Sequence, residues 1–360
     1  MADYTAIDDP SAHFQVKLWT GNATTRTIDL DSNSTMQPDF SWIKSRSNGF
    51  ENYWENSTSG TAKYLRSNSS AAEQSGTVIT YNSTGFGIGS GAENNTDATT
   101  NVGWFWKANG GTTASFTESG NNPGGTHQAN TTAGFSIVAY TGTGGAGTVS
   151  HGLSVTPKMM MVKRLSGTAD WMVYHASNTS APETEFLELN TADATSDNTR
   201  WNDTAPTTSV FSVGTDDAVN GDAETYLAFI FSDVQGYSKF GGYLGNGNAT
   251  NGPFVYTGFA PAFVMIKNTE TANRPWYVYD NKRRAFNANG SILKANTSDT
   301  EATDQAIDML SNGFKVKPDS LGSFGTSTIN HSGQKMVYMA FAENPFVTST
   351  STNSIPTTAR

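Results

Sequence analysis

Pro38-Asp39-Phe40-Ser41-Trp42-Ile43-Lys44, Pro157-Lys158-Met159-Met160-Met161-Val162-Lys163 and Pro261-Ala262-Phe263-Val264-Met265-Ile266-Lys267 share one grammar: Pro, five residues, then Lys. A fixed arrangement recurring about every hundred residues signals duplication of one structural unit. Stacked copies of a β unit usually make a scaffold or a binding surface, whereas catalysis usually needs one unique site.

The repetition extends to both sides of these runs. An aromatic-led strand precedes each, at residues 14–19, 135–140 and, in degenerate form, 237–243. A turn follows that strand, at Thr20-Gly21-Asn22, Thr141-Gly142-Thr143 and Gly245-Asn246-Gly247. After the Lys come an aromatic strand, a Leu shortly before an Asn (Leu65 and Asn68, Leu187 and Asn190, Leu293 and Asn296), a Phe strand and a strongly apolar closing strand. The period is two wherever it is readable, so Trp171, Val173 and His175 share one face and Met172 and Tyr174 the other. One helix is expected, over residues 298–306, from the capping-box pair Ser298 and Glu301. Many short strands with Gly-rich turns predict an all-β chain of three related antiparallel β-sandwich units in tandem.

Boundaries follow from composition. Residues 1–12 read as an N-terminal arm and 13–109 as the first unit. Residues 110–133 are Gly, Asn and Thr-rich with few apolar residues and read as a linker. The second unit spans 134–234, the third 235–346, and 347–360 form a Ser/Thr-rich tail.

The chain has 360 residues, of which 15% are charged, against a usual figure of about 25%. Neutral polar side chains must therefore carry much of the solubility. The formal charge is −10 and the one basic run is Lys282-Arg283-Arg284, which argues against duplex DNA and anionic membranes as partners. The absence of Cys excludes disulfides, thiolate metal sites and cysteine nucleophiles. A Cys-free chain suits a particle assembled in reducing cytosol that then works outside the cell. Residues 1–10 are acidic and lack the apolar run of a secretory signal, and no segment approaches the roughly 18 apolar residues of a membrane-spanning helix. The many Asn-X-Ser/Thr triplets follow from Asn, Ser and Thr richness.

Ile7-Asp8-Asp9-Pro10-Ser11, the strand at 14–19, and Met36-Gln37-Pro38-Asp39-Phe40-Ser41-Trp42-Ile43-Lys44-Ser45-Arg46-Ser47 carry a family resemblance. So do Ser83-Thr84-Gly85-Phe86-Gly87-Ile88-Gly89 and Val102-Gly103-Trp104-Phe105-Trp106-Lys107-Ala108. The chain resembles virion structural and tail-fibre-like proteins of marine bacteriophages, of the cyanophage and pelagiphage type. The match is close in the first unit and partial in the other two, which lack the Trp and Arg of the motif. The resemblance implies a virion location after assembly in the host cytoplasm, and a lectin-like jelly-roll fold for the units. It supplies no catalytic residues and no receptor.

Candidate sites are few. Gly142-Thr143-Gly144-Gly145-Ala146-Gly147 matches a dinucleotide-binding pattern, but Thr148-Val149-Ser150-His151-Gly152 cannot supply the helix that such a site needs, so a hairpin turn is expected. The acidic loop with Asp216, Asp217, Asn220 and Asp222 could offer oxygen ligands to Ca²⁺, the one cofactor worth weighing; a solvated loop is the simpler reading. The five His show no metal-ligand spacing. Glu183, Glu185 and Glu188 are the nearest approach to a glycosidase carboxylate pair, but any acidic strand edge looks the same. Gly87-Ile88-Gly89-Ser90-Gly91 does not meet the nucleophile-elbow pattern. Among the aromatics, Trp42, Trp104 and Trp106 should be buried. Trp201, in a polar loop with Asn202 and Asp203, is the best candidate for an exposed carbohydrate contact, with core packing as the simpler reading.

The sequence thus points to a non-enzymatic virion structural protein, a tail-fibre or tail-associated adhesin for host surface polysaccharide. Other virion proteins and further copies of itself, as a trimer, would be its partners. A capsid decoration or head-fibre protein is the alternative, and a polysaccharide depolymerase the third reading.

Overall fold

The computed structural model describes residues 5–60, 62–248, 250–283, 287, 290–303, 307–317 and 328–347. The expectation of an all-β, antiparallel chain holds, and the repeats observed in sequence recur as matching sets of strands.

The first set comprises β1 (Phe14–Thr20), β2 (Arg26–Asp29), β3 (Phe40–Ser45), β4 (Tyr53–Asn56), β5 (Lys63–Arg66), β6 (Gln74–Ser75), β7 (Ile79–Asn82), β8 (Gly85–Ile88) and β9 (Thr100–Trp106). The large sheet runs β1-β9-β3-β4-β5-β6 and the small one β2-β8-β7. The second set comprises β10 (Ala114–Phe116), β11 (Gly124–Asn130), β12 (Phe135–Thr141), β13 (Gly147–Ser150), β14 (Met159–Arg164), β15 (Met172–His175), β16 (Glu185–Glu188), β17 (Ser196–Asp197), β18 (Val210–Val213) and β19 (Thr225–Phe231), with a single turn of helix, α1 (Asp217–Asn220). Its large sheet runs β10-β11-β12-β19-β14-β15-β16-β17, with β13 and β18 as the small sheet. The third set comprises β20 (Ser238–Leu244), β21 (Phe254–Tyr256), β22 (Phe259–Asn268), β23 (Tyr277–Asp280), β24 (Ser291–Lys294), β25 (Ala302–Thr303), β26 (Ile307–Leu310), β27 (Gly313–Val316) and β28 (Lys335–Pro345). Its sheets run β20-β28-β22-β23-β24-β25 and β21-β27-β26.

The ladder registers superimpose. Trp42 lies opposite Trp54 and Trp104, Met161 opposite Val173 and Phe229, and Met265 opposite Val278 and Met339. All nine of these side chains belong to one buried cluster, to which all three large sheets contribute a face. The neighbouring residues in each strand point the other way. Ile43, Tyr53 and Phe105 pack on the first small sheet, Met160, Met172 and Tyr174 on the second, and Val264, Tyr277 and Tyr279 on the third. The central strands of each large sheet are therefore buried on both faces, which is why they read as near-continuous apolar runs. Ring contacts cross the repeats throughout the shared core. Trp54 meets Trp171 at 4.7 Å, Phe14 meets Phe341 at 5.0 Å and Phe231 meets Phe341 at 5.9 Å between centroids.

The turn glycines after the first strand of each repeat have one physical reason. A Cβ on Gly21, Gly142 or Gly245 would sit 2.0, 2.3 or 2.2 Å from a backbone oxygen of the opposing segment. No side chain fits where two backbones approach so closely.

Several expectations change. Residues 110–133 are no plain linker: they carry β10 and β11, which extend the second large sheet. The buried Asp39 carboxylate holds the start of this stretch through the backbone N–H of Ala108 (2.8 Å), Gly110 (2.9 Å) and Gly111 (3.0 Å). The described part of the N-terminal arm is tied down as well, with Ile7 in the shared core and Ala6 N–H bonded to Gln235 O at 3.1 Å. The helix expected over 298–306 is absent from 298–303, where Ala302–Thr303 forms β25; residues 304–306 lie outside the described residues. Glu301 is drawn away from capping by two arginines. The tail from 348 onward also lies outside the described residues.

Candidate functional site

The lysine that closes each opening motif is fully buried in the structure: Lys44, Lys163 and Lys267 all show 0% exposure. Each lies at the same ladder position, and each reaches into another repeat. Lys163 Nζ donates to Ser70 O (3.1 Å), Arg164 O (3.0 Å) and Ala169 O (2.8 Å). Lys267 Nζ donates to Ala192 O (3.4 Å), Asn268 O (3.0 Å) and Arg274 O (2.8 Å). Lys44 Nζ donates to Thr297 O (2.9 Å) and Asn52 Oδ1 (2.6 Å). The second repeat thus grips the first, the third grips the second, and the first grips the third. A contact passed head to tail that returns to its start closes a ring, so the chain has internal pseudo-threefold symmetry.

A second bond runs beside each lysine. Trp171 Nε1 donates to Arg66 O (3.0 Å), Trp276 Nε1 to Glu188 O (2.8 Å) and Asn52 Nδ2 to Lys294 O (3.2 Å). The recurrent Asn residues prepare these groups. Asn68, Asn190 and Asn296 accept through Oδ1 from the backbone N–H of Asn52 (3.0 Å), Trp171 (2.8 Å) and Trp276 (3.1 Å). Burial pulls Lys44 and Lys163 down to about 8 and Lys267 to about 7, against an ordinary 10.5; acidic neighbours such as Asp299, Asp170 and Asp193 oppose the shift. The seam between the first and third repeats carries more. Arg46 forms a two-pronged pair with Glu301 (2.8 and 2.9 Å), and Arg283 reaches Glu301 at 3.3 Å. Asp280 there accepts from Trp104 Nε1 at 3.1 Å.

Trp201 is not an exposed contact. It is 1% exposed, packs in the second repeat's own core and donates its indole N–H to Glu185 O at 3.0 Å. Asn202 and Asp203 remain exposed beside it, with no aromatic platform from Trp201. In the acidic loop, Asp216 caps α1 through Ala218 N–H (2.8 Å) and pairs with Arg200 at 2.5 Å. Asn220 is buried, bonding Gly214 O at 2.9 Å, and Asp217 and Asp222 join no cluster. Among the described residues no group of three acidic, His or Cys side chains could hold a metal ion. Gly142 to Gly147 is no hairpin: it carries the chain from β12 in the large sheet to β13 in the small one, where β13 pairs with β18. His151 and His175 are buried, and burial holds both down at about 4.

One pocket coincides with a break in the threefold pattern. Position 55 in the first repeat corresponds to Tyr174 and Tyr279, and its cross-strand partner Ser41 to Met160 and Val264. Where the other repeats bury an apolar pair, this one buries a carboxylate and a hydroxyl. Glu55 accepts from the N–H groups of Val78 (2.8 Å) and Ile79 (3.0 Å), and Tyr81 OH donates to Glu55 O (2.7 Å) and meets Ser41 Oγ at 3.0 Å. Burial pushes Glu55 up to about 7, against the pull of the two N–H groups. A cavity of about 260 Å³ opens beside it, lined by Asn56, Ser57, Lys63, Thr80 and Tyr81 among others. Sequence reasoning passed over Glu55. Aligning Tyr53-Trp54-Glu55 with Met172-Val173-Tyr174 and Tyr277-Val278-Tyr279 would have exposed it. The exposed large apolar side chains include Leu244, Phe254 and Tyr256, all in the third repeat.

No curated protein matches this chain, and no solved structure does. A family model described as "Domain of unknown function (DUF7483)" matches residues 9–345. That span takes in all three repeats and the lysine ring that joins them, so the chain belongs to the DUF7483 family.

Proposed function

We propose that this chain is a bacteriophage virion structural protein, a tail-associated adhesin that presents a rigid surface to host polysaccharide. The supporting observation is the ring of buried lysines around a common core, which fuses three repeats into one body. Such a body holds its surface loops at fixed spacing, and weak sites held at fixed spacing gain avidity. We read each repeat as a jelly-roll-like sandwich. Threefold symmetry inside one chain also offers three near-equal faces to a threefold partner such as a trimeric fibre shaft. The resemblance of residues 7–22 and 36–47 to marine phage virion proteins supports the same reading.

The test is antibody-gold labelling or cryo-EM of intact particles. Label confined to the tail is the expected result. Label over the head would replace the adhesin with a decoration or head-fibre role, and absence from particles would overturn the virion assignment. Turnover of host polysaccharide by the purified chain would overturn the non-enzymatic part of the reading.

A further inference from the structure

The pair Ser41–Glu55 stands where Met160–Tyr174 and Val264–Tyr279 fill the equivalent cores. A carboxylate buried to 6% exposure in an otherwise apolar layer costs stability. Departures of this kind from a consistent fold concentrate at functional sites. The adjoining cavity of about 260 Å³ has space on the order of eight waters. That space is too small for an extended chain and adequate for one six-membered ring.

The lining selects the ligand. A single carboxylate cannot satisfy a hard divalent cation, which wants several oxygen ligands. Lys63 is answered by Glu73 at 3.5 Å and the Glu55 oxygens by the N–H groups of Val78 and Ile79, so the lining presents no unanswered charge and suits a neutral guest. Thr80 supplies a hydroxyl, the Glu55 oxygens and the Lys63 ammonium keep hydrogen-bonding capacity beyond the bonds they already make, and Tyr81 supplies an aromatic wall, while the Asn56 amide is spent on Thr58 and Ser59. Alternating hydroxyl and C–H faces are the chemistry of a sugar ring. We propose that the cavity between Glu55, Lys63, Thr80 and Tyr81 binds one neutral hexose unit. The proposal deepens the adhesin reading and rests on it for the source of the sugar, a host surface polysaccharide.

The experiment is saturation-transfer NMR on the purified full chain with glucose, galactose, mannose and N-acetylglucosamine as probes. Transfer to at least one sugar is expected, with a dissociation constant on the order of 1 mM. Two variants localise it. Glu55→Tyr restores the residue of the other repeats and fills the space. Thr80→Trp obstructs the mouth from an exposed position, so it leaves the core untouched. Loss of transfer in both, with wild-type far-ultraviolet circular dichroism and wild-type elution on size-exclusion chromatography, supports the site. No transfer from any of the four sugars to the wild type, or undiminished transfer to Thr80→Trp, overturns it. Transfer without tail label on particles would keep the pocket and sink the adhesin; tail label without transfer would do the reverse.

Discussion

Lys163→Met separates the two roles of a seam lysine. Methionine keeps most of the side-chain volume and removes the three donors that meet Ser70 O, Arg164 O and Ala169 O. In the fold the ammonium sits at about 8 against an ordinary 10.5, because burial disfavours its charge. The unfolded chain therefore holds this proton between those values, and the folded chain does not. Stability from this residue is lowest below about 8 and rises as pH climbs toward 10.5. The gap corresponds to about 3 kcal/mol, of which most is recovered by about pH 10. At about pH 7 the substitution removes both a desolvated charge and its hydrogen bonds, terms of similar size and opposite sign, so the net change is about 1 kcal/mol or less. At about pH 10 the wild type carries an uncharged amine, and the variant is the less stable by about 2 to 3 kcal/mol. Urea unfolding of both proteins at the two pH values measures the difference, and titrations common to both cancel. An equal difference at both pH values would refute the reasoning, since it would mean that Lys163 keeps a solvent-like pKa and is not buried in the seam.

Trp201→Ala should cost about 3 to 5 kcal/mol by urea unfolding, because the ring is core and not surface. Arg46→Ala should cost about 2 kcal/mol at neutral pH by removing a partly buried partner of Glu301. That cost should fade as pH falls, since burial pushes the Glu301 carboxyl up but Arg46 and Arg283 hold it below its ordinary value, and the stabilisation is lost once it is protonated. Glu55→Tyr should raise the thermal midpoint more at about pH 8 than at about pH 5, because the raised Glu55 favours the fold only while protonated. Proteolytic cleavage within residues 110–123 should leave the fragments associated on native size-exclusion chromatography, since the first repeat cannot leave without exposing its share of Trp42, Trp54, Trp104 and Trp106.

The strands were legible because period two survives in every repeat, and Trp171 and Val173 do face away from Met172 and Tyr174. What covers each face was not. Alternation says that a residue is buried, and says nothing about whether its neighbours come from the same repeat. A sheet with one face covered by its own repeat and the other by neighbouring repeats therefore reads like the centre of an ordinary sandwich. Trp201 was misplaced because its neighbours in sequence are polar, whereas its neighbours in space, Tyr174 among them at 6.0 Å between rings, are not. Residues 110–133 looked like linker because β10 is exposed and β11 only part-buried, apart from the wholly buried Gln128. That residue works by hydrogen bonds, to Ser57 Oγ and Thr58 Oγ1 at 2.9 Å each, which leave no apolar pattern. The motif lysines were visible only as a recurrence. Their burial depends on carbonyls more than ninety residues away for Lys163 and more than two hundred and fifty for Lys44.

The three seams are not equal, and their inequality is compensated locally. Two of them carry an indole, Trp171 or Trp276, lying over the next repeat; the third has Asn52 in its place. A buried Trp removes on the order of 200 Å² from water, a gross gain of about 5 kcal/mol that Asn52 cannot match. The additional polar clamp of Arg46, Glu301, Arg283, Asp280 and Trp104 lies at that same seam. Glu301 stands where the other repeats have Glu73 and Thr195, and all three donate a backbone N–H across a seam, to Arg46 O (2.8 Å), Leu165 O (3.0 Å) and Thr269 O (2.8 Å), so the clamp is built on a position common to the three seams and meets the missing indole at one interface. Repeats free of one another could each have lost their tryptophan without consequence for the others. In a closed ring, a weak seam exposes the common core of all three, and the loss has to be made good where it occurred.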